Sequence, residues 1–313
     1  MRRTASSAAT LLGVAILVFV MLRAIPGDQI TAGLGTEAAA LTPAQRADLE
    51  AYYGIDQPLV AQFFSWLGNV LTGNLGYSAR AQASVLDLTL EALPVTLELA
   101  VLAILIALVI GVPLGMLSAS KPNSPRDAAG QVVGLAGLSI PAFLLATALL
   151  SVLASSFGFN PNGRPFVGLF VDPLLNLQQM LLPSLVLGFG IAAPIMRTTR
   201  TAVLEVRSND FVRTARAKGV PPRRLQVTHV LRNAMVPIVT MVGLQFGYLL
   251  GGAVVVEQVF SVPGIGRQVL LGIQQKEYAL VQSTVLVIAV AFVIVNLLTD
   301  VVYRRVDPRV RAA

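Results

Sequence analysis

Cysteine is absent from the 313 residues, so disulfides, thiolate metal sites and cysteine nucleophiles are excluded together. Histidine occurs once, as His229, among basic residues rather than metal ligands. A lone imidazole gives neither a zinc set nor a proton relay, and we read it as a helix-surface or interface residue. Charge is scarce: 12% of residues are Asp, Glu, Lys or Arg, against about 25% in ordinary soluble domains. No G-x-x-x-x-G-K-[ST] phosphate loop, G-x-S-x-G elbow or H-E-x-x-H helix occurs. The chain is therefore not expected to bind ATP as a motor, hold a cofactor or metal, or act as an enzyme. Proton-coupled carriers keep ionisable groups deep in their spans. Here Glu98 and Asp300 lie near span ends. We read Glu98 as solvated at the outer interface and Asp300 as paired with Arg304 one turn on. A secondary transporter is disfavoured accordingly.

What is present is apolar: 55% hydrophobic residues and a mean hydropathy of +0.74 mark an integral membrane protein. Thr4–Leu22 is an uncharged run of 19 residues between Arg2-Arg3 and Arg23, and about 20 apolar residues cross a bilayer. It is too long for a cleaved signal and no small-x-small site follows it, so it is read as a span. Five more spans are expected at Leu99–Ser120, Ala128–Phe157, Leu181–Met196 (beginning a little earlier), Asn233–Val256 and Tyr278–Thr299. Pro94 and Glu98 mark the outer end of the second. Pro141, Pro183 and Pro194 fall inside spans and kink them, which membrane helices tolerate. The fold class is all-α, with six membrane helices.

Lysine and arginine orient the bundle. With both termini cytoplasmic, 17 of 23 basic residues lie inside, nine of them between Arg197 and Arg232. The positive-inside rule selects this topology. The chain then divides into a first span (1–27), an extracytoplasmic loop (28–92) and a five-helix core (93–313) with a cytoplasmic loop at 197–236. From Asp28 to Ala92 there are seven acidic and two basic residues, with turn signals at Gly54, Pro58, Gly73 and Gly76. This segment is read mainly as a packing cap on the outer face.

The cytoplasmic stretch Ser208–Pro237 is the most basic part of the sequence. Ser208, Asn209 and Asp210 offer side-chain oxygens for a helix N-terminus. No breaker interrupts Phe211–Lys218. Gly219 suits a left-handed helix end, and Pro221-Pro222 prevents continuation. A second helix is expected from Arg223 to about Val236, before Pro237. Phe211, Ala215 and Lys218 share one face of the first helix, while Ala215, Ala217 and Gly219 keep its surface low. This is the shape of a docking knob. A basic helix–turn–helix also fits a reader of nucleic acid or lipid phosphates, but the loop has no core of its own and is tied to spans at both ends. Nucleic acid is not expected as a partner.

The run Asp210, Phe211, Val212, Arg213, Thr214, Ala215, Arg216, Ala217, Lys218, Gly219, followed by Leu231-Arg232-Asn233-Ala234 and Pro237, resembles the coupling loop of ABC-importer permeases. More narrowly it is similar to inner-membrane permeases of the dipeptide/oligopeptide/nickel group. Arg213 replaces the usual Glu, and the distance from Gly219 to Pro237 is longer than in sugar-type permeases; both departures fit the peptide branch. Four further places carry the resemblance: Arg23–Asp28; Tyr53–Pro58 with Gly73–Ser78; Val259–Arg267 with Lys276–Ala279; and Asn296, Asp300, Tyr303 with Asp307-Pro308-Arg309. Gln29, Asn74 and Ala279 differ from the usual residues there.

The resemblance implies a six-helix permease subunit of an ATP-driven, binding-protein-dependent importer in a bacterial or archaeal plasma membrane. Di- or oligopeptides are the implied cargo; nickel chelates or another small solute are the alternative. It implies a second homologous permease, one or two ABC ATPase subunits carrying ATP and Mg, an extracytoplasmic substrate-binding protein, and membrane lipids around the spans. Asp210, Phe211, Arg213, Thr214, Ala215, Arg216, Ala217, Lys218 and Gly219 are the implied ATPase-coupling residues.

Overall fold

The computed structural model describes residues 2–24, 30, 40–53, 55–78, 80–158, 160 and 163–306. Its elements, in chain order, are α1 (Arg2–Ala24), α2 (Pro43–Tyr53), α3 (Leu59–Leu71), β1 (Tyr77–Ser78), β2 (Ala83–Ser84), α4 (Val85–Ser120), α5 (Pro125–Ser139), α6 (Ala142–Phe157), α7 (Pro173–Ser208), α8 (Asp210–Ala217), α9 (Arg232–Gly252), α10 (Val254–Val259), α11 (Ile265–Gln274) and α12 (Tyr278–Val306). α9 is entered without interruption from Pro222–Arg224 and a π-helical stretch, Leu225–Leu231. Among the described residues, five helices are long and apolar enough to cross a membrane: α1, α4, α7, Pro222–Gly252 and α12. The pair α5 and α6 makes a sixth, bent by 94°. The expected motif residues Pro26-Gly27-Asp28, Gln29, Gly54 and Asp307-Pro308-Arg309, and the Asp300–Arg304 side-chain pair, lie outside the described residues.

Three expected spans need correction. The third is not one kinked helix. Proline disfavours the helical region for its predecessor, and here Ile140 is extended (φ −87°, ψ 116°). Pro141 is extended as well (φ −59°, ψ 136°), and two such residues turn the chain rather than kink it. The second span begins 14 residues early, at Val85, so the boundary drawn at residue 92 falls inside α4. Glu98 is half-buried there and accepts from Asn176 Nδ2 at 3.4 Å, rather than being simply solvated. In the fifth, Pro237 does not end a separate helix; it lies inside α9. The wider π turns just upstream adjust the register with which that helix enters the membrane.

By contacts the chain forms two units. The first comprises Met1–Thr96 and Pro263–Val293. α3 lies on α1 through Phe63 and Trp66, whose rings sit 5.2 and 6.0 Å from Phe19. Arg23 stacks on Phe19 at 3.7 Å and donates from Nε to Gln62 Oε1 at 2.9 Å. The β1–β2 hairpin pairs Tyr77 with Ser84. Its turn is held by Glu277, whose carboxylate accepts from Ser78 Oγ at 2.7 Å and from Arg80 N at 3.1 Å.

The second unit comprises Leu97–Val262 and Ile294–Ala313, with α7 at its centre, packed against α5, α6, α8 and α9. α4 approaches α7 closely because glycines line the seam. A Cβ on Gly111 would stand 2.7 Å from Ala192 O, and one on Gly115 2.6 Å from Met196 O. Small residues four apart give membrane helices this backbone-to-backbone packing, which van der Waals attraction rather than water expulsion drives. Away from the seam, Val101, Leu105 and Val109 recur every four residues and are exposed. Such a stripe is stable in lipid.

Candidate functional site

The knob that follows α7 is built from its two ends. α8 starts after Asn209, which adopts an extended conformation but makes no side-chain cap. The Ser208 hydroxyl instead donates to Glu205 O at 2.7 Å. The expected oxygen caps are therefore unused, and the first turn is held by Thr214 Oγ1 donating to Asp210 O at 3.0 Å. The C-terminus closes as the sequence requires. Gly219 is left-handed, φ +76°. Its N–H donates to Arg216 O at 3.0 Å, and Val220 N donates to Ala215 O at 3.2 Å. This reciprocal pair is a Schellman motif, which satisfies two carbonyls a helix end leaves free.

α8 is mounted on an apolar pad. Val212 is 1% exposed and joins Ala119, Ala202, Val203, Leu225, Val230, Ala234 and Ile238, with Ala215 and Val220 packed at its margin. Burying one Val side chain contributes about 1.5–3 kcal/mol. Four parts of the chain thereby share one core: the end of α4, the end of α7, α8 itself, and the turns leading into α9 with its first residues. Ala215 sits three residues from Val212 and faces this pad, not the face expected of it. Asp210, Phe211, Arg213, Thr214, Arg216, Ala217, Lys218 and Gly219 are exposed. The presented surface thus holds one large apolar side chain, three cations and a low step at Ala217. His229, half-buried, offers its carbonyl to Asn233 Nδ2 at 2.6 Å.

Beside the pad is a polar clamp that the sequence reading did not single out. Asp127, fully buried, accepts from Arg200 Nε at 2.8 Å and Nη2 at 2.7 Å. It also accepts from Asn123 N at 2.9 Å, from Gln131 Nε2 at 3.2 Å and from the Ser118 hydroxyl. Five donors to one carboxylate are what make a buried ion pair tolerable, because desolvation otherwise exceeds the Coulomb gain. Two turns farther along α7, Arg207 Nη1 donates to Ala119 O at 2.6 Å and closes the C-terminus of α4. The hairpin α4–α5 is thus fastened to α7 where α7 delivers the knob. A signal for the clamp was available: Ser124 and Asp127 have capping-box spacing, and Ser124 Oγ accepts from Asp127 N at 3.3 Å.

The comparisons agree with this architecture. Residues 111–312 match the family described as the binding-protein-dependent transport system inner membrane component, and residues 1–100 match its N-terminal companion family. The di/tripeptide transport system permease protein DppB of Pseudomonas aeruginosa is 38% identical over 321 residues, covering 96% of this chain and 95% of its own. The glutathione transport system permease protein GsiC of Pectobacterium atrosepticum is 39% identical over 304 residues, with the same coverage. Among solved structures, an inward-facing MetNI methionine ABC transporter aligns with a TM-score of 0.54 and 19% identity, over 70% of this chain and 96% of that one; it supports the fold alone. The chain belongs to the binding-protein-dependent transport system inner-membrane components: it is the multi-pass permease subunit of an ABC importer, not its ATPase.

Proposed function

We propose that this permease carries di- or oligopeptides, with α8 as the coupling helix seated in an ATPase subunit. The observation that carries the cargo is near-full-length likeness to permeases named for di/tripeptides and for glutathione, itself a peptide. The coupling role is supported by an exposed basic helix fixed by its own core to the end of α7. In this reading both termini are cytoplasmic. A second, homologous permease completes the pathway, one or two ATPase subunits hold ATP and Mg, and an extracytoplasmic binding protein delivers the peptide. ATP binding moves the ATPase clefts, and each cleft drags its α8. The spans then repack between two states, since packed interfaces are bistable rather than continuously deformable.

The test is reconstitution with the partner permease, ATPases and binding protein in proteoliposomes. Uptake of labelled di- and tripeptides is expected, dependent on both ATP and the binding protein, with no uptake of a nickel chelate. Nickel uptake without peptide uptake would reassign the cargo. ATP hydrolysis by this subunit alone would overturn the whole assignment.

A further inference from the structure

A cavity of about 300 Å³ lies where α5 breaks from α6. Its walls are the break itself (Gly137–Ala142), the middle of α7 around Gly190 and Pro194, and one face of α9. That face presents Gln245, Tyr248, Leu249 and Gly252 at helical spacing. Gln245 and Tyr248 bear the only polar side chains among the lining residues. Each wall thus combines an interrupted or kinked backbone with an otherwise apolar surface.

The backbone at the break is a strong constraint. Pro141 has no N–H to offer the Gly137 carbonyl, and the 94° turn carries the next donors of α6 away from α5. In hydrocarbon an unsatisfied carbonyl costs several kcal/mol, so non-helical backbone at membrane depth persists only in protein or against a water-filled cavity. Lining residues of the cavity occupy the centres of both α7 and the α5–α6 span, and the last two turns of α9. Carbonyls, a carboxamide and a phenol make its wall wet. Its volume is well above what a single water needs and at the lower end for a ligand site.

Resting on the peptide-importer reading above, we propose that this cavity is one wall of the solute path in this subunit. Gln245, Tyr248 and the carbonyls of the break take up, in passing, the N–H and ammonium donors of the peptide. A peptide is a donor-rich solute with side chains of every kind, so a wall that holds its backbone weakly, amid apolar residues, passes many sequences.

The absence of cysteine makes the test direct. Gln245→Cys, Tyr248→Cys and, as an outward-facing comparison, Val109→Cys are reconstituted in the full complex. A charged methanethiosulfonate reagent is applied during ATP-driven turnover. We expect the two cavity thiols to label at least tenfold faster than Val109→Cys. A saturating mixture of di- and tripeptides with binding protein should slow their labelling and leave Val109→Cys unchanged. Tyr248→Phe and Gln245→Ala should accumulate normally and alter the ranking of transported peptides. Peptide transport by the wild type with unreactive cavity thiols, or with labelling indifferent to peptide, overturns the proposal. A wild type that transports no peptide overturns the cargo reading instead, and labelling under ATP alone still decides whether the cavity is aqueous.

Discussion

Two Asp–Arg pairs lie near the C-terminal end of α7, and they do different work. In Asp127–Arg200 the carboxylate side chain is 0% exposed and the bridge is 2.7 Å long. In Asp210–Arg213 the aspartate is 94% and the arginine 76% exposed, and the bridge is 3.3 Å. The first pair is surrounded by further donors and joins separate elements. The second joins neighbours on one helix. Buried pairs that lose a partner leave an uncompensated charge, whereas exposed pairs gain little from their own attraction. The fixed pair therefore suits a mount. The exposed pair keeps its charges available to another protein.

The comparison breaks most severely at the mount. Asp127→Ala strands the Arg200 guanidinium, and we expect membrane abundance to fall several-fold, read by immunoblot, with transport lost. The exchanged pair Asp127→Arg with Arg200→Asp should restore part of both. Normal abundance of Asp127→Ala would remove the distinction drawn here. Next is Gly115→Leu, which pushes α4 off α7; overpacking of this kind costs about 1–3 kcal/mol or more, and the melting temperature in detergent should drop.

On the knob the effects should separate folding from coupling. No atom lies within 4 Å of a Cβ built on Gly219, so Gly219→Val is charged only the left-handed backbone, roughly 1–2 kcal/mol. Protein should accumulate while transport falls. Ala217→Glu, on the exposed face, should do the same and abolish stimulation of ATP hydrolysis by loaded binding protein. Transport at wild-type rate in both would reduce α8 to a connector. The smallest effect is expected for Asp210→Asn: no shift in melting temperature, and only a salt-sensitive weakening of ATPase association measured by co-purification.

Much of this was legible in the sequence where one residue dictates one conformation. Gly219 before Val220 and Pro221 fixed the end of α8, and the charge asymmetry around Arg197–Arg232 set the expected orientation. Less legible were properties that depend on what the chain meets across space. Whether a proline kinks or breaks its helix is not a property of the proline: Pro194 and Pro237 remain inside helices, while Pro141 turns the chain by 94° with Ile140 extended before it. The inward face of α8 was misjudged for the same reason. Spacing groups Ala215 with Phe211, but only the pad on α7 and α9 reveals that Val212 is the anchor and Ala215 its neighbour. Asp127 was not singled out because its partner Arg200 is 73 residues away.

The length of α7 has a mechanical consequence. Its 36 residues make a rod of about 54 Å, against a hydrocarbon layer of about 30 Å. α8 hangs from the C-terminal end, and Gly190 lies at the midpoint. A rod pivoting there by about 10° moves its tip by about 5 Å, while the backbone at the fulcrum merely rotates. The glycine seam with α4 doubles the rod and stiffens it against flexing at Pro183 and Pro194. Large strokes at the knob are thereby geared down to small angular changes beside the cavity, a transmission ratio written into helix length.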